Sequence, residues 1–172
     1  MNKIDELLGS VRKVGEVLNS GEVIRDVCSN HSQEILEMVR MQLLEGKAAN
    51  GENLRPSYSE DLQPGGFFKS RESAKRYADW KLTISYPAQV HRDPDTPNLY
   101  INGKFHSELD LKVGDSEMKV DGSTSYADRI MDKYGKQNFG LTDDNCKLLV
   151  SDYIYPQLLK TINSILYGKN SA

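Results

Sequence analysis

The sequence predicts an α+β fold in which helices flank a small antiparallel sheet built on one hairpin, and three observations predict it. From Phe105 the residues alternate, with Phe105, Ser107, Leu109 and Leu111 on one face and His106, Glu108, Asp110 and Lys112 on the other, the period of two that marks a half-buried strand. Gly114-Asp115 supplies a turn, and Met118 and Val120 resume the alternation beyond it. Elsewhere the apolar residues recur at helical spacing, and the long C-terminal helix carries Pro156 in its middle, where the missing N–H demands a kink or a break into two helices.

The elements follow in order. Ile4, Leu7, Leu8, Val11, Val14 and Leu18 form the apolar stripe of a first helix that Gly21 ends. A second, longer helix places Ile24, Val27, Cys28, His31, Ile35, Met38 and Gln42 on one face, widened by Val39 and Leu43, and stops at Gly46. Ser29-Asn30 are poor interior residues, so an interruption is expected there. These helices make residues 1–46 a helical N-terminal part. Residues 47–69 and 86–97 are long loops punctuated by Asn50-Gly51, Pro56, Pro64-Gly65-Gly66, Pro87, Pro94 and Pro97. Between them a helix begins at Ser70, with Ala74, Tyr77, Ala78 and Lys81 on one face and Trp80 near its edge. Residues 98–145 form a hairpin–helix core in which Tyr126, Ala127, Ile130, Met131 and Tyr134 mark a helix closed by Gly135. Thr142 or Asp143 caps the C-terminal helix at 146–168, and Lys169 to Ala172 are expected to fray. A lone hairpin is marginal, so Leu82 to Ser85 and Asn98 to Ile101 are candidate extra strands.

Length and composition limit the function. A chain of 172 residues is most simply one domain, and its net charge of -3 offers no electrostatic case for a nucleic-acid or membrane partner. No apolar run approaches the ~18 residues of a membrane span, and the opening MNKIDELLGSVRKVGEV lacks the core of a signal peptide, so export by that route is not expected. Cys28 and Cys146 are expected to be reduced, buried, small apolar residues.

The motifs that point to chemistry fail on context. His91-Arg92-Asp93 with Asn98 satisfies the spacing of a kinase catalytic loop, but the chain has no glycine-rich phosphate loop, no V-A-I-K strand and no D-F-G. Cys28 and His31 lie one turn apart on an apolar helix face, and a structural zinc site would need two more ligands, with Cys146 and His106 added from elsewhere, where only this one closely spaced pair exists. The carboxylate pairs Asp93/Asp95, Asp143/Asp144 and Glu108/Asp110 read as a loop pair, helix-start charge and an exposed strand face. No cofactor and no catalytic residue is assigned. The locally basic segment is the helix at 69–81, where Lys69, Arg71, Lys75, Arg76 and Lys81 are candidates to contact phosphates or an acidic partner. Tyr58, Phe67, Phe68, Tyr86 and Tyr100, outside the clear helical stripes, are candidates for a subunit interface.

A set of collinear motifs carries a resemblance. These are Q-L-x-x-G at Gln42–Gly46, G-x-x-L/I-x-P-x-Y at Gly51–Tyr58, Y-A-x-W-K at Tyr77–Lys81, L-x-I-N/T-G-x-F at Leu99–Phe105, and K-Y-G-x-x-x-F-G-L-T at Lys133–Thr142. Over residues 25–160 the chain resembles a family of small proteins encoded by phages and prophages of Bacteroidetes, including crAss-like tailed phages. Asn102-Gly103 stands where Thr-Gly would be expected, a departure confined to the turn. The resemblance implies a non-enzymatic virion structural role, a head–tail connector or tail-completion component of the neck or tail that assembles as a ring at the portal vertex. Its implied partners are other copies of itself and portal, neck or tail proteins, with passage of DNA but no sequence-specific grip and no membrane. Its implied location is the virion, after synthesis in the bacterial host cytoplasm. Two other readings stand beside it: a nucleic-acid-binding or packaging-associated accessory protein using the basic helix at 69–81, and, more weakly, a hydrolase using Asp93/Asp95.

Overall fold

The computed structural model describes residues 3–168, so the expectation for Lys169 to Ala172 lies outside the described residues. It is a mixed fold of helices and one two-stranded antiparallel sheet. Helix α1 (Lys3–Ser20) is followed at Gly21 by α2 (Glu22–Asn30) and α3 (Ser32–Leu44). The long second helix is interrupted, as Ser29-Asn30 foretold, with His31 leaving the helical region at φ −112, ψ 28.

Helix α3 is the centre of the molecule. Ile35, Leu36, Val39, Leu43 and Leu44 are all buried, two more positions than a one-faced stripe requires. The reason is that α3 is covered on more than one side, by the hairpin and by the chain that follows Gly46. Helix α1 shows the opposite behaviour. None of its residues is buried, and Ile4, Leu7, Leu8, Val11 and Leu18 are all roughly half or more exposed. The apolar stripe of α1 therefore looks largely outward.

The strand begins later than the alternation implies. Lys104–Ser107 form a single helical turn, α5, and Phe105 and His106 are both buried. Consecutive side chains on one side are incompatible with a strand, where they must point to opposite faces. Strand β1 (Leu109–Val113) then pairs with β2 (Met118–Gly122), with Leu109 opposite Gly122, Leu111 opposite Val120 and Val113 opposite Met118. Among the described residues no third strand joins them, so Leu82 to Ser85 and Asn98 to Ile101 are not sheet. Helices do that work: the apolar face of the hairpin is covered by α3 and by α6 (Ser125–Tyr134), whose Ala127 and Met131 are fully buried. Gly122 permits the close approach, since a Cβ there would meet the Ala127 Cβ at 2.5 Å.

The C-terminal helix comprises α7 (Asp143–Leu149), a π turn (Val150–Ile154) and α8 (Tyr155–Tyr167). Pro156 clashes with the carbonyl four residues back and gives no N–H. The chain answers by widening, with the Tyr155 N–H donating to the Val150 carbonyl five residues earlier. The interruption expected at Pro156 thus takes the form of a π turn. Thr142 caps α7 through its side chain, which accepts from the Asn145 N–H. Cys28 is buried as expected, but Cys146 is exposed, because α7 turns that side outward.

The stretch 47–69 is irregular yet tied down within its own chain. Leu54, Tyr58 and Phe68 are buried, and single bridges join Lys47 to Asn53 and Leu62 to Phe68. The 86–97 loop is clipped to it: the Tyr58 N–H donates to the Asp95 carbonyl at 2.9 Å and the Ser59 N–H to the Asp95 carboxylate at 2.8 Å.

Candidate functional site

Helix α4 (Arg71–Lys81) organises the site. Ser70 and Ser73 close a reciprocal cap, the Ser73 N–H donating to Ser70 Oγ at 3.2 Å and the Ser70 N–H to Ser73 Oγ at 3.1 Å. Ala74 and Ala78 turn inward, and their small size brings the helix against a second apolar cluster built from Tyr58 and Phe68. Within it the Tyr58 ring meets Tyr77 at 5.1 Å and Phe68 at 6.0 Å, both edge-on, the arrangement that aligns positive ring edges with negative faces.

Lys81, at the end of the same inward face, is 1% exposed. Its Nζ donates to the Tyr100 carbonyl and lies 5.9 Å from the centre of the Tyr86 ring. Tyr86 in turn donates its hydroxyl to the Lys81 carbonyl at 2.7 Å and meets the Tyr100 ring at a tilt, 5.5 Å between centres. Burial and the nearby Arg92 guanidinium push the Lys81 ammonium down to about 7. Next to this group, His106 holds the Asn98 carbonyl at 3.1 Å through Nε2 and is pushed down by burial to about 4.

The two apolar clusters do not close on each other. Between them lies a cavity of about 300 Å³ with aromatic walls, lined by Tyr58, Phe68, Tyr77, Phe105 and Tyr134 among others. Leu99, also in its wall, is held at φ 55, the left-handed region that a branched side chain rarely occupies. Phe67, Ile101 and Tyr126 stand exposed at its rim, Phe67 by 69%. The charged groups inside are already engaged: Lys133 pairs with the buried Asp61 carboxylate, and Lys81 with Tyr100.

Four of the five candidate cations, Lys69, Arg71, Lys75 and Arg76, are exposed. The fifth, Lys81, is not: the helical period that puts it beside Ala74 and Ala78 sends its stem into the core, which withdraws it from any phosphate. Of the five candidate interface aromatics, Tyr58 and Phe68 are buried inside their own chain and are removed from a contact surface by that burial. Tyr86 and Tyr100 are half-buried around Lys81. Phe67 alone stands well out.

A second concavity, of about 700 Å³, lies between α3 and the start of α7. Glu34, Glu37, Glu45 and Asp144 give it an acidic lining, with Lys47 at one side. Gln42 braces its floor, donating to the Gly140 carbonyl at 2.6 Å while its Oε1 accepts from the Thr142 N–H at 3.1 Å and from Asn145 at 2.9 Å. Sequence reasoning did not find this groove, because its two walls lie about a hundred residues apart. The helical position of Glu34 and Glu37 was the available signal.

The catalytic motif at His91 to Asn98 has a mechanical role instead. Arg92 donates to the carbonyls of Asp93, Pro94 and Thr96, and the Asp93 carboxylate accepts from the Asp95 N–H at 2.7 Å. Both carboxylates are thereby turn and loop clips. Of the metal candidates, Cys28 is buried, His31 packs on Tyr153 at 4.7 Å, Cys146 is exposed and His106 binds a carbonyl. Among the described residues no three His, Cys, Asp or Glu side chains are grouped to hold a metal ion, and no helix is long and apolar enough to cross a membrane. Comparison with protein-family models, curated proteins and solved structures finds no match to this chain.

Proposed function

We propose that the chain is a non-enzymatic structural protein of a tailed-phage virion, a ring-forming connector or tail-completion component of the neck. The observation that carries this reading is the aromatic socket. Its rim presents Phe67, Ile101 and Tyr126 to solvent, Asn102 and Lys133 add polar groups to its lining, and its inner charges are spent on internal partners. An exposed aromatic and aliphatic centre of this kind is the anatomy of a protein interface. Lys133 and Asp61 hold one another and Lys81 is tied to a backbone carbonyl, and among the described residues no nucleophile–base pair lines the socket to attack a substrate. A ring also needs two different, complementary surfaces on one subunit, and the acidic groove between α3 and α7 supplies a surface of opposite sign to the exposed face of α4.

Quantitative mass spectrometry of purified particles, counting this chain against the portal protein, tests the proposal. A ratio of one, or a small whole multiple, is expected; absence from particles overturns it. The four exposed cations of the α4 region favour a second reading, binding to nucleic-acid phosphates. With Lys81 withdrawn, that reading predicts a salt dependence no steeper than about −3.6 in log–log slope, from ~0.9 per phosphate contact. Absence of DNA binding at low salt removes it.

A further inference from the structure

The cavity between the two apolar clusters holds more hydrogen-bond donors than its aromatic walls suggest. Tyr58, Tyr77 and Tyr134 all line it, and Tyr58 and Tyr134 are only 6% and 9% exposed. Among the described residues, none of their three hydroxyls makes a hydrogen bond. A buried phenol ordinarily has a partner. Burial raises all three phenols, and the Tyr77 phenol adds to the rise in both Tyr58 and Tyr134. The three groups therefore share one electrostatic neighbourhood and stay neutral donors at ordinary pH.

Two amines complete the polar part of the wall. Lys133 is paired with Asp61, the one carboxylate in the lining, and Lys81 gives one of its three ammonium donors to the Tyr100 carbonyl. The lining thus sets two amines against one carboxylate, with three hydroxyls that have nothing to donate to. That surplus selects a ligand rich in acceptors. The aromatic walls select a ring, and the volume of about 300 Å³ sets its size. At ~30 Å³ per water the space holds about ten waters, or one single-ring acid in their place.

We propose that the cavity binds a small aromatic carboxylate, its ring against the tyrosine and phenylalanine walls and its oxygens received by the unpartnered phenol hydroxyls, with Lys81 as the counter-charge. A carboxylate taken out of water must be both paired and hydrogen-bonded, and its two oxygens accept about four such bonds. Its arrival favours the charged form of Lys81. An amine of the same shape would instead face Lys81 and Lys133 with the Asp61 carboxylate already engaged. The particle assignment concerns what meets the rim, whereas the acid fills the space beneath it, so either can fail without the other.

Isothermal titration calorimetry of the full chain with phenylacetate tests the site, against phenethylamine, of like size and opposite charge, and acetate, which has no ring. Phenylacetate is expected to saturate one site per chain with a Kd below ~1 mM, with neither control saturating at about 10 mM. Tyr58→Phe/Tyr134→Phe deletes two hydroxyls and keeps both rings. It is expected to weaken phenylacetate by about tenfold or more, the scale of a hydrogen bond to a charged acceptor, while circular dichroism stays that of the wild type. Should that variant unfold, Tyr77→Phe is expected to weaken binding in its place. An absence of saturable phenylacetate binding overturns the proposal and leaves the hydroxyls to water. Equal binding of phenethylamine, or an affinity unmoved by loss of the hydroxyls, overturns it as well.

Discussion

Lys81 is where the chemistry of a single residue does most to the behaviour of the protein. Its ordinary amine value of 10.5 falls to about 7 in the folded chain. Between those two values the unfolded chain binds a proton that the folded chain has released, so folding becomes more favourable as pH rises from 7 towards 10.5. His106 acts in the same direction lower on the scale, its contribution being lost as pH falls from 6.5 to about 4. Tyr58 and Tyr134, raised by burial, reverse the trend above pH 10. The clean window is therefore pH 7 to 9.5. Across it Lys81 contributes a rise on the order of 3 kcal/mol, at 1.36 kcal/mol per unit, and Lys81→Met is expected to flatten that rise when urea midpoints are compared at the two ends. The sequence placed Lys81 both on the inward face with Ala74 and Ala78 and among the basic contacts; its periodicity was the better guide than its charge.

At the scale of elements, the sheet depends on helices for its stability. Two strands of five residues are marginal alone, and the side chain that closes the core beneath them is Met131 of α6, with no exposed surface. Met131→Ala is expected to cost about 2–5 kcal/mol, read as a lower urea midpoint. The hairpin, α6, the start of α4 at Ser70 and the cap at Thr142 were legible, because turn residues, caps and period carry local information. The start of β1 was not. Over four residues the run from Phe105 to Glu108 fits either period, and what decides is that both Phe105 and His106 find partners inside, a tertiary fact. Pro156 announced an interruption, but whether the helix would kink or widen depended on the neighbours of α7 and α8.

For the molecule as a whole, the aromatic anchors of the 47–69 loop were open to two uses, pinning it to its own domain or to another subunit. Tyr58 and Phe68 are spent at home, on α4, and Ser59 ties the stretch to the 86–97 loop. Limited trypsin digestion of the isolated chain is therefore expected to spare Lys47, which lies in a braced segment and donates to Asn53; rapid cleavage after it would show that the bracing fails in solution. The socket was partly legible, since Tyr58, Phe67, Phe68 and Lys81 were singled out and the fold brings them together. Its far wall, from Phe105 and Tyr134, was hidden by sequence distance. What the stripe of α1 meets was not legible either: a stripe records that a helix has an apolar side, not what covers it.

Trp80 gives these surfaces an optical readout. It is the single tryptophan of the chain, partly exposed on α4 and packed at 5.3 Å on Tyr77. A partner landing on α4 would dehydrate its indole, shift its emission to the blue and shield it from iodide quenching. Contact at the acidic groove between α3 and α7, which Trp80 does not line, would leave that spectrum where it is in the free subunit. One fluorophore, present by nature, thus separates contact on α4 from contact at the groove without any label.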